Sequence, residues 1–214
     1  MELDDFILAN TGIEATRLVP EIRLHLATEL TPLWHATESY LNQISLNAPF
    51  WAFAWVGGQV LSRYILDHPE VVTGLRIADI GSGGGIVSIA AAMAGAEHVT
   101  ALDVDPVAAT ACRINAALNG VADRVSTETA DAITYDFSPF DLLLVGDVCY
   151  THGESADLAA HLRDAVLPVL LGDPGRKFLP RHGIRRLATY SVETSQEIEA
   201  QPITEASVWR MIGL

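Results

Sequence analysis

Arg76-Ile77-Ala78-Asp79-Ile80-Gly81-Ser82-Gly83-Gly84-Gly85-Ile86 carries the chain from a short apolar run through a glycine turn into an alanine-rich segment. Arg76 to Ile80 reads as a buried strand and Ile86 to Ala94 as a helix, so the unit is strand, loop, helix. Forward of it the alternation continues with a strand at His98 to Leu102, a helix from Pro106 to Asn119 with proline in its first turn, and a strand at Val125 to Thr127. Phe140 to Val145 is the most hydrophobic strand candidate and ends at Gly146-Asp147. A helix from Ser155 to Asp164, a strand from Val166 to Leu171, a short helix after Pro180 and strands at Ala188 to Val192 and Ser207 to Ile212 complete the series. The alternation predicts an open, mostly parallel α/β sheet.

Backward of the turn, Gly57 to His68 has helical spacing, with Val60, Leu61, Tyr64 and Ile65 on one face and Pro69 ending it. Residues 2 to 10 read as a short helix, and Ile22 to Leu26 alternates like a half-buried strand. The character of the chain changes near residue 74, from aromatic-rich and irregular to regular alternation. The expected division is an extension, 1–56, packing over the active site, and a ligand-binding domain, 57–214.

In sheets of this kind ligands sit beyond the carboxyl ends of the strands. Gly81, Gly83 and Gly85 let the backbone turn tightly and approach a ligand closely. A dinucleotide fold needs Gly or Ala where this chain has Ile86, and a phosphate-binding P-loop needs a Gly-Lys-Ser/Thr that does not follow. Asp79 tips the choice, because a carboxylate at that strand end can meet a cationic amino acid group, which S-adenosylmethionine carries. Asp103, at the end of the next strand, can accept the ribose hydroxyls, and Asp131 can accept from the adenine amino group. Each has a plainer reading: Asp103 as a helix cap, Asp131 as a turn former, Asp79 as a buried structural carboxylate. Their succession on three consecutive loops favours the cofactor reading.

Bulk properties exclude several classes. The 214 residues carry a formal charge of -14 and include 10 prolines and 16 glycines, with no apolar run of membrane-spanning length. The pI is near 4.7 and the mean hydropathy +0.26. Such acidity opposes attraction to nucleic acid and favours basic partners. Two cysteines, Cys112 and Cys149, without a Cys-x-x-Cys pair, support neither a disulfide framework nor a zinc cluster, and His152-Gly153-Glu154 lacks the downstream cysteines of a zinc deaminase. No metal, no membrane and no nucleic acid are expected, and the acidic start, Met1-Glu2-Leu3-Asp4-Asp5, points to a cytoplasmic location. A monomer is the expected state. Lys177 is the single lysine, a bias with no physical account.

The order Asp79-x-Gly-x-Gly-x-Gly, Val99 to Asp103, Ala130-Asp131, and Phe140-Asp-Leu-Leu-Leu-Val-Gly-Asp147 resembles the class I, seven-β-strand methyltransferases over residues 50 to 214. The resemblance implies a Rossmann-like sheet of order 3-2-1-4-5-7-6, strand seven antiparallel, with helices on both faces. Ala48 to Leu61, rich in aromatics, and Asp147-Val148-Cys149-Tyr150 are similar to the protein lysine methyltransferases of this class. With Gly172-Asp173-Pro174-Gly175-Arg176, Leu179-Pro180, Phe6 to Thr11 and Pro20-Glu21-Ile22, the chain looks most like the lysine methyltransferases of the electron transfer flavoprotein β subunit.

That resemblance implies Trp55, Gln59, Asp79, Gly81, Ser82, Gly83, Gly85, Asp103, Val104, Asp131, Ala132 and Gly146 at the cofactor. It implies Asp147 and Tyr150 at the reaction, and Phe50, Trp51 and Arg176 toward the substrate. Aromatics at these positions also suit a core, Arg176 equally suits a surface ion pair, and Cys149 reads as simply buried. Methyl transfer to an amine is an in-line displacement, so positioning and water exclusion dominate. An ionised Asp147 stabilises the ammonium form and is therefore a docking group rather than a strong base. Alternative acceptors are a ribosomal protein or a small amine. A non-catalytic module that binds S-adenosylmethionine and a nicotinamide-dependent oxidoreductase are the rivals from other classes.

Overall fold

The computed structural model describes residues 2–31, 33, 49–149, 157–158, 160–162, 167–192 and 205–211. An N-terminal helix α1 (Leu3–Asn10) leads into a small ribbon of β1 (Gly12–Glu14) and β2 (Leu24–Leu26). The main unit follows as α2 (Val56–Asp67), β3 (Arg76–Ile80), α3 (Ile86–Met93), β4 (His98–Asp103), α4 (Pro106–Leu118) and β5 (Val125–Thr129). It closes with β6 (Leu142–Gly146), β7 (Val169–Asp173), β8 (Ile184–Ser191) and β9 (Glu205–Met211). The seven strands lie in the order β5-β4-β3-β6-β7-β9-β8. Strand β9 runs antiparallel to both neighbours and the other pairings are parallel. Counted from β3, this is the expected 3-2-1-4-5-7-6.

Both faces of the sheet are covered, which is why its central strands are continuously apolar rather than alternating. From β6, Leu142 and Leu144 pack with Leu61 and Ile65 of α2 and Ile89 of α3. Leu143 and Val145 face the other way, toward Phe137, Leu162 and Met211. Helix α4 starts where Asp105 accepts from Val107 N at 2.8 Å, with Pro106 at its first position. Asp105 and not Asp103 therefore caps this helix.

The extension is tied to α4 by polar as well as apolar contacts. Phe6, Ile7, Ala27 and Trp51 are buried with Val107, Ala108 and Ala111. Asn119 accepts from Arg23 N at 3.0 Å and donates to Arg23 O at 2.7 Å, treating β2 as a neighbouring strand would. One turn earlier, Asn115 accepts from His25 N at 2.8 Å and donates to Gly84 O at 2.8 Å. A single buried amide thus joins the extension to the glycine turn.

One expectation requires correction. No helix follows Pro180: residues 181–183 form a bend with Gly183 at φ 71°, and β8 begins at Ile184. Pairing with β9 from Ile184↔Met211 to Ser191↔Glu205, through an irregularity between Arg186 and Ala188, supplies hydrogen bonds that a short helix would not. The predicted helix Ser155 to Asp164 lies mostly outside the described residues, of which 157–158 and 160–162 are helical. The 3-10 turns at Phe50–Ala52 and Pro69–Val71, and strand β1, carry no periodic signal and were not expected. No helix among the described residues is long and apolar enough to cross a membrane.

Helix α2 begins directly on the ends of β6 and β7. A methyl at Gly57 would fall inside contact distance of Gly172 O and within 2.7 Å of Asp147 N, and one at Gly146 would meet Gly58 Cα at 3.0 Å. The Gly57→Ala substitution is expected to lower the melting temperature by several degrees, an overpacking cost of about 1–3 kcal/mol. In the same thermal unfolding series, Gly12→Ala, whose added carbon would meet Thr31 Cγ2 at 3.8 Å, should shift stability by no more than about 0.5 kcal/mol.

Candidate active site

The glycine turn leaves β3 with Gly81, Gly83 and Gly85 at φ of 66°, 51° and 85°, a backbone path that other residues enter only at a cost. Ser82 N donates to Leu102 O at 3.0 Å and Gly85 N to Ser82 O at 2.8 Å. Cysteine Cys112 sits so close beneath Gly85 that a methyl there would collide with its sulfur, and a methyl at Gly84 would meet Trp51 O at 2.7 Å. Ser82 Oγ is buried without a hydrogen-bond partner among the described residues. No side chain caps α3. An orphaned hydroxyl and an uncapped helix N-terminus facing one turn suit a carboxylate such as that of an amino acid ligand.

Asp79 is buried to 1 % exposure and accepts from Ser88 Oγ at 2.6 Å. Burial lifts its pKa to about 7, against the opposing effect of the Ser88 bonds. This carboxylate is held at an electrostatic cost that a cationic neighbour would relieve. At the end of β4, Asp103 Oδ2 accepts from Gly83 N at 2.9 Å and Oδ1 from Asp105 N at 3.0 Å. Burial raises its pKa as well. Each of its oxygens keeps a lone pair for a further donor. Next to it Val104 is 71 % exposed, and after β5 Ile133 is 39 % exposed. Both loops, after β4 and after β5, thus carry an exposed aliphatic side chain. Asp131, exposed, spends one oxygen on Ile133 N at 2.9 Å in a local turn, and half-buried Ala132 stands between them.

Above the turn, Trp55 donates its indole N–H to Phe50 O at 2.9 Å, and Gln59 Nε2 donates to Ala54 O at 2.6 Å. Phe50 is 55 % exposed. Trp51, expected to line the approach, has its side chain in the core against α4 and touches the glycine turn through its backbone. Tyr150 lies outside the described residues.

At the end of β6, Asp147 is the only described non-glycine residue with positive φ, 59°. Its Oδ2 accepts from Gly57 N at 2.9 Å, so the carboxylate caps α2 from another strand. Arg176 donates Nε to Oδ1 at 2.7 Å and Nη2 to Oδ2 at 3.2 Å. Arg176 is thus paired with Asp147 at the strand end. Alongside, at the end of β7, Asp173 Oδ1 accepts from Gly175 N at 2.6 Å and Arg176 N at 2.7 Å. Burial lifts Asp173 to about 6, and the Asp147 charge adds to this. Asn115 and Asp173 are residues of the site that sequence reasoning missed. The Asp-Pro-Gly turn signal marked Asp173, but nothing local placed it beside Asp147.

A sheet of this order, with a glycine turn and carboxylates at successive strand ends, is that of a class I methyltransferase. The ribosomal protein L11 methyltransferase (PrmA) family matches residues 59–145. The electron transfer flavoprotein β-subunit lysine methyltransferase of Xenopus laevis is 38% identical, over 95% of this chain and 85% of that protein. Its Homo sapiens counterpart is 33% identical, over 97% and 81%. Among solved structures, the ribosomal protein L11 methylase of Lactobacillus delbrueckii subsp. bulgaricus superposes with a TM-score of 0.55 at 21% identity, covering 76% of this chain and 81% of that one. A magnesium protoporphyrin IX methyltransferase from Synechocystis with bound SAH gives 0.56 at 18% identity, covering 74% and 84%. The chain belongs to the family of electron transfer flavoprotein β-subunit lysine methyltransferases.

Asp79 is expected to make stability and donor binding respond to pH in opposite directions. Its carboxyl keeps a proton to about pH 7 in the fold but ionises near 3.9 when unfolded. The resulting destabilisation grows as pH rises between those values and is complete above the upper one. Asp79→Asn is therefore expected to match the parent in melting temperature near pH 4 and exceed it at pH 8. Affinity of the parent for S-adenosylmethionine, read by calorimetry, should fall below pH 7 as the carboxylate is neutralised, and Asp79→Asn should bind more weakly at pH 8 with that fall abolished.

Proposed function

We propose that this chain methylates a lysine of the electron transfer flavoprotein β subunit, with S-adenosylmethionine as donor. The observation that carries the reading is the run of carboxylates around a glycine turn, Asp79 near the end of β3, Asp103 at the end of β4 and Asp131 beyond β5, with Asp147 directly after β6. The named relatives, similar over nearly the whole chain, support the acceptor.

The residues present fit the donor. Asp79 and Ser82 would hold its amino acid part, Asp103 the ribose, and Asp131, with Val104, Ala132 and Ile133, the base. When bound, the donor supplies an electrophilic methyl on a sulfonium. Gly146 and the first turn of α2, carrying Trp55 and Gln59, close the inner wall and keep water out. Asp147 docks the incoming ammonium while Arg176 and Gly57 N fix its orientation, and Tyr150 orients the amine. Phe50 and the backbone of Trp51 border the approach. Residues 1–56 act as an extension over this side of the sheet.

The net charge of -14 favours a basic face on the acceptor and disfavours nucleic acid. We read the protein as a cytoplasmic monomer that needs no metal and no membrane. A ribosomal protein is the second reading, favoured by the match of residues 59–145 to the L11 methyltransferase family. Purified protein, labelled donor and electron transfer flavoprotein should yield label on a β-subunit lysine. Absence of label there, with label on ribosomal protein, would transfer the assignment to the second acceptor. Asp147→Asn, which leaves Arg176 facing an amide, should cut transfer at least about 100-fold with donor affinity nearly unchanged. Undiminished transfer would remove Asp147 from the reaction.

A further inference from the structure

Asp173 has one oxygen with work and one without. Oδ1 takes the N–H groups of Gly175 and Arg176. Oδ2 is buried and has no hydrogen-bond partner among the described residues, in a residue 1 % exposed. A buried carboxylate oxygen left unpaired costs free energy unless something fills it. Its surroundings show what is missing. Gly146 pairs with Gly172, so Asp147 and Asp173 leave adjacent parallel strands, which lie about 4.8 Å apart. Of the charged groups the structure places on Asp173, Asp147 repels it and Arg176 attracts it, while the Arg176 guanidinium is spent on Asp147. The remaining titratable neighbour among the described residues, Cys149, is a thiol pushed up to about 12 by burial, then by the Asp173 charge and by a side-chain hydrogen bond to Asp173; it stays neutral and offers Asp173 only a weak S–H donor, with no positive charge.

We propose that Asp173 is a second acceptor-binding residue, its free Oδ2 receiving an N–H of the target lysine ammonium beside Asp147. An ammonium has three donors on one centre, and two carboxylates at neighbouring strand ends present acceptors from two sides. Arg176 then has a defined part: its backbone N–H holds Asp173 while its guanidinium holds Asp147, so one residue sets the spacing of the pair. The same arrangement disfavours a guanidinium as acceptor, because Arg176 already fills the planar donor position on Asp147. The acceptor class is thus a primary alkylammonium. The raised pKa of Asp173 agrees with a cation-shaped vacancy in its interactions but is not needed for the placement.

This inference rests on the lysine methyltransferase reading, and its test separates the two. Asp173→Asn keeps an acceptor for Gly175 N and Arg176 N and changes only the free oxygen. With donor saturating, the variant should raise KM for the flavoprotein at least tenfold while donor affinity stays as in the parent and the melting temperature does not fall. An unchanged KM overturns the role of Asp173 and leaves the enzyme reading intact. A second measurement needs no protein acceptor: amide resonances of Gly175 and Arg176, in full-length protein with S-adenosylhomocysteine, are followed during titration with n-butylammonium chloride against sodium chloride. Saturable shifts in the parent that disappear in Asp173→Asn are expected. Shifts equal to those from sodium chloride in the parent overturn the inference even if the flavoprotein is not the acceptor.

Discussion

Close approach of α2 to the ends of β6 and β7 is the constraint on which the site depends. Glycine stands on both sides of that contact, Gly57 and Gly58 against Gly146 and Gly172, and no side chain separates the helix from the strands. The contact brings Gly57 N to the Asp147 carboxylate, and Asp147 takes a left-handed backbone conformation to meet it. An aspartate tolerates this better than most residues, since its short polar side chain bonds locally. Arg176 then closes on Asp147 from the loop after β7. Helix position, carboxylate orientation and loop shape are consequently one arrangement, and none is adjustable alone.

The two halves of the site are electrostatically different. Around the glycine turn the carboxylates are partly neutralised by backbone N–H groups: Gly83 N and Asp105 N on Asp103, Ile133 N on Asp131. Asp79 has the hydroxyl and the backbone N–H of Ser88, which do not offset its burial, and it is destabilised as an anion. At β6 and β7 an arginine intervenes, and the negative charge is held in a fixed pattern rather than spread over a loop. A ligand bearing two separated positive groups, an ammonium on one side and a sulfonium toward the other, suits such a distribution. Preorganised charge of this kind costs stability in the empty protein and returns it on binding.

Much of the fold was legible because local patterns and tertiary structure agreed. Ile77, Ala78 and Ile80 belong to a strand buried on both faces, and Pro106 opens a helix where its missing N–H is harmless. The edge was harder to read. Arg185 and Arg186 interrupt the apolar signal of β8, because an edge strand exposes one side and profits from charges that discourage further pairing. The aromatic stretch divides in the fold: Phe50 is 55 % exposed, whereas Trp51 serves the core. Identical chemistry at spacings of one or four gives no signal of which ring turns inward before helix α4 is in place.

By itself the sequence determined the class of sheet, the glycine turn and the succession of aspartates at the ends of β3, β4 and β5, since each depends on residue types within a few positions. Only the tertiary structure decided that Asn115 would bridge the extension to Gly84, that Arg176 would hold Asp147, and that Asp173 would stand beside it with an unfilled oxygen. Those relations join residues 26 to 90 positions apart. Their cause is the register of parallel strands and the seat of a helix, which no local pattern encodes.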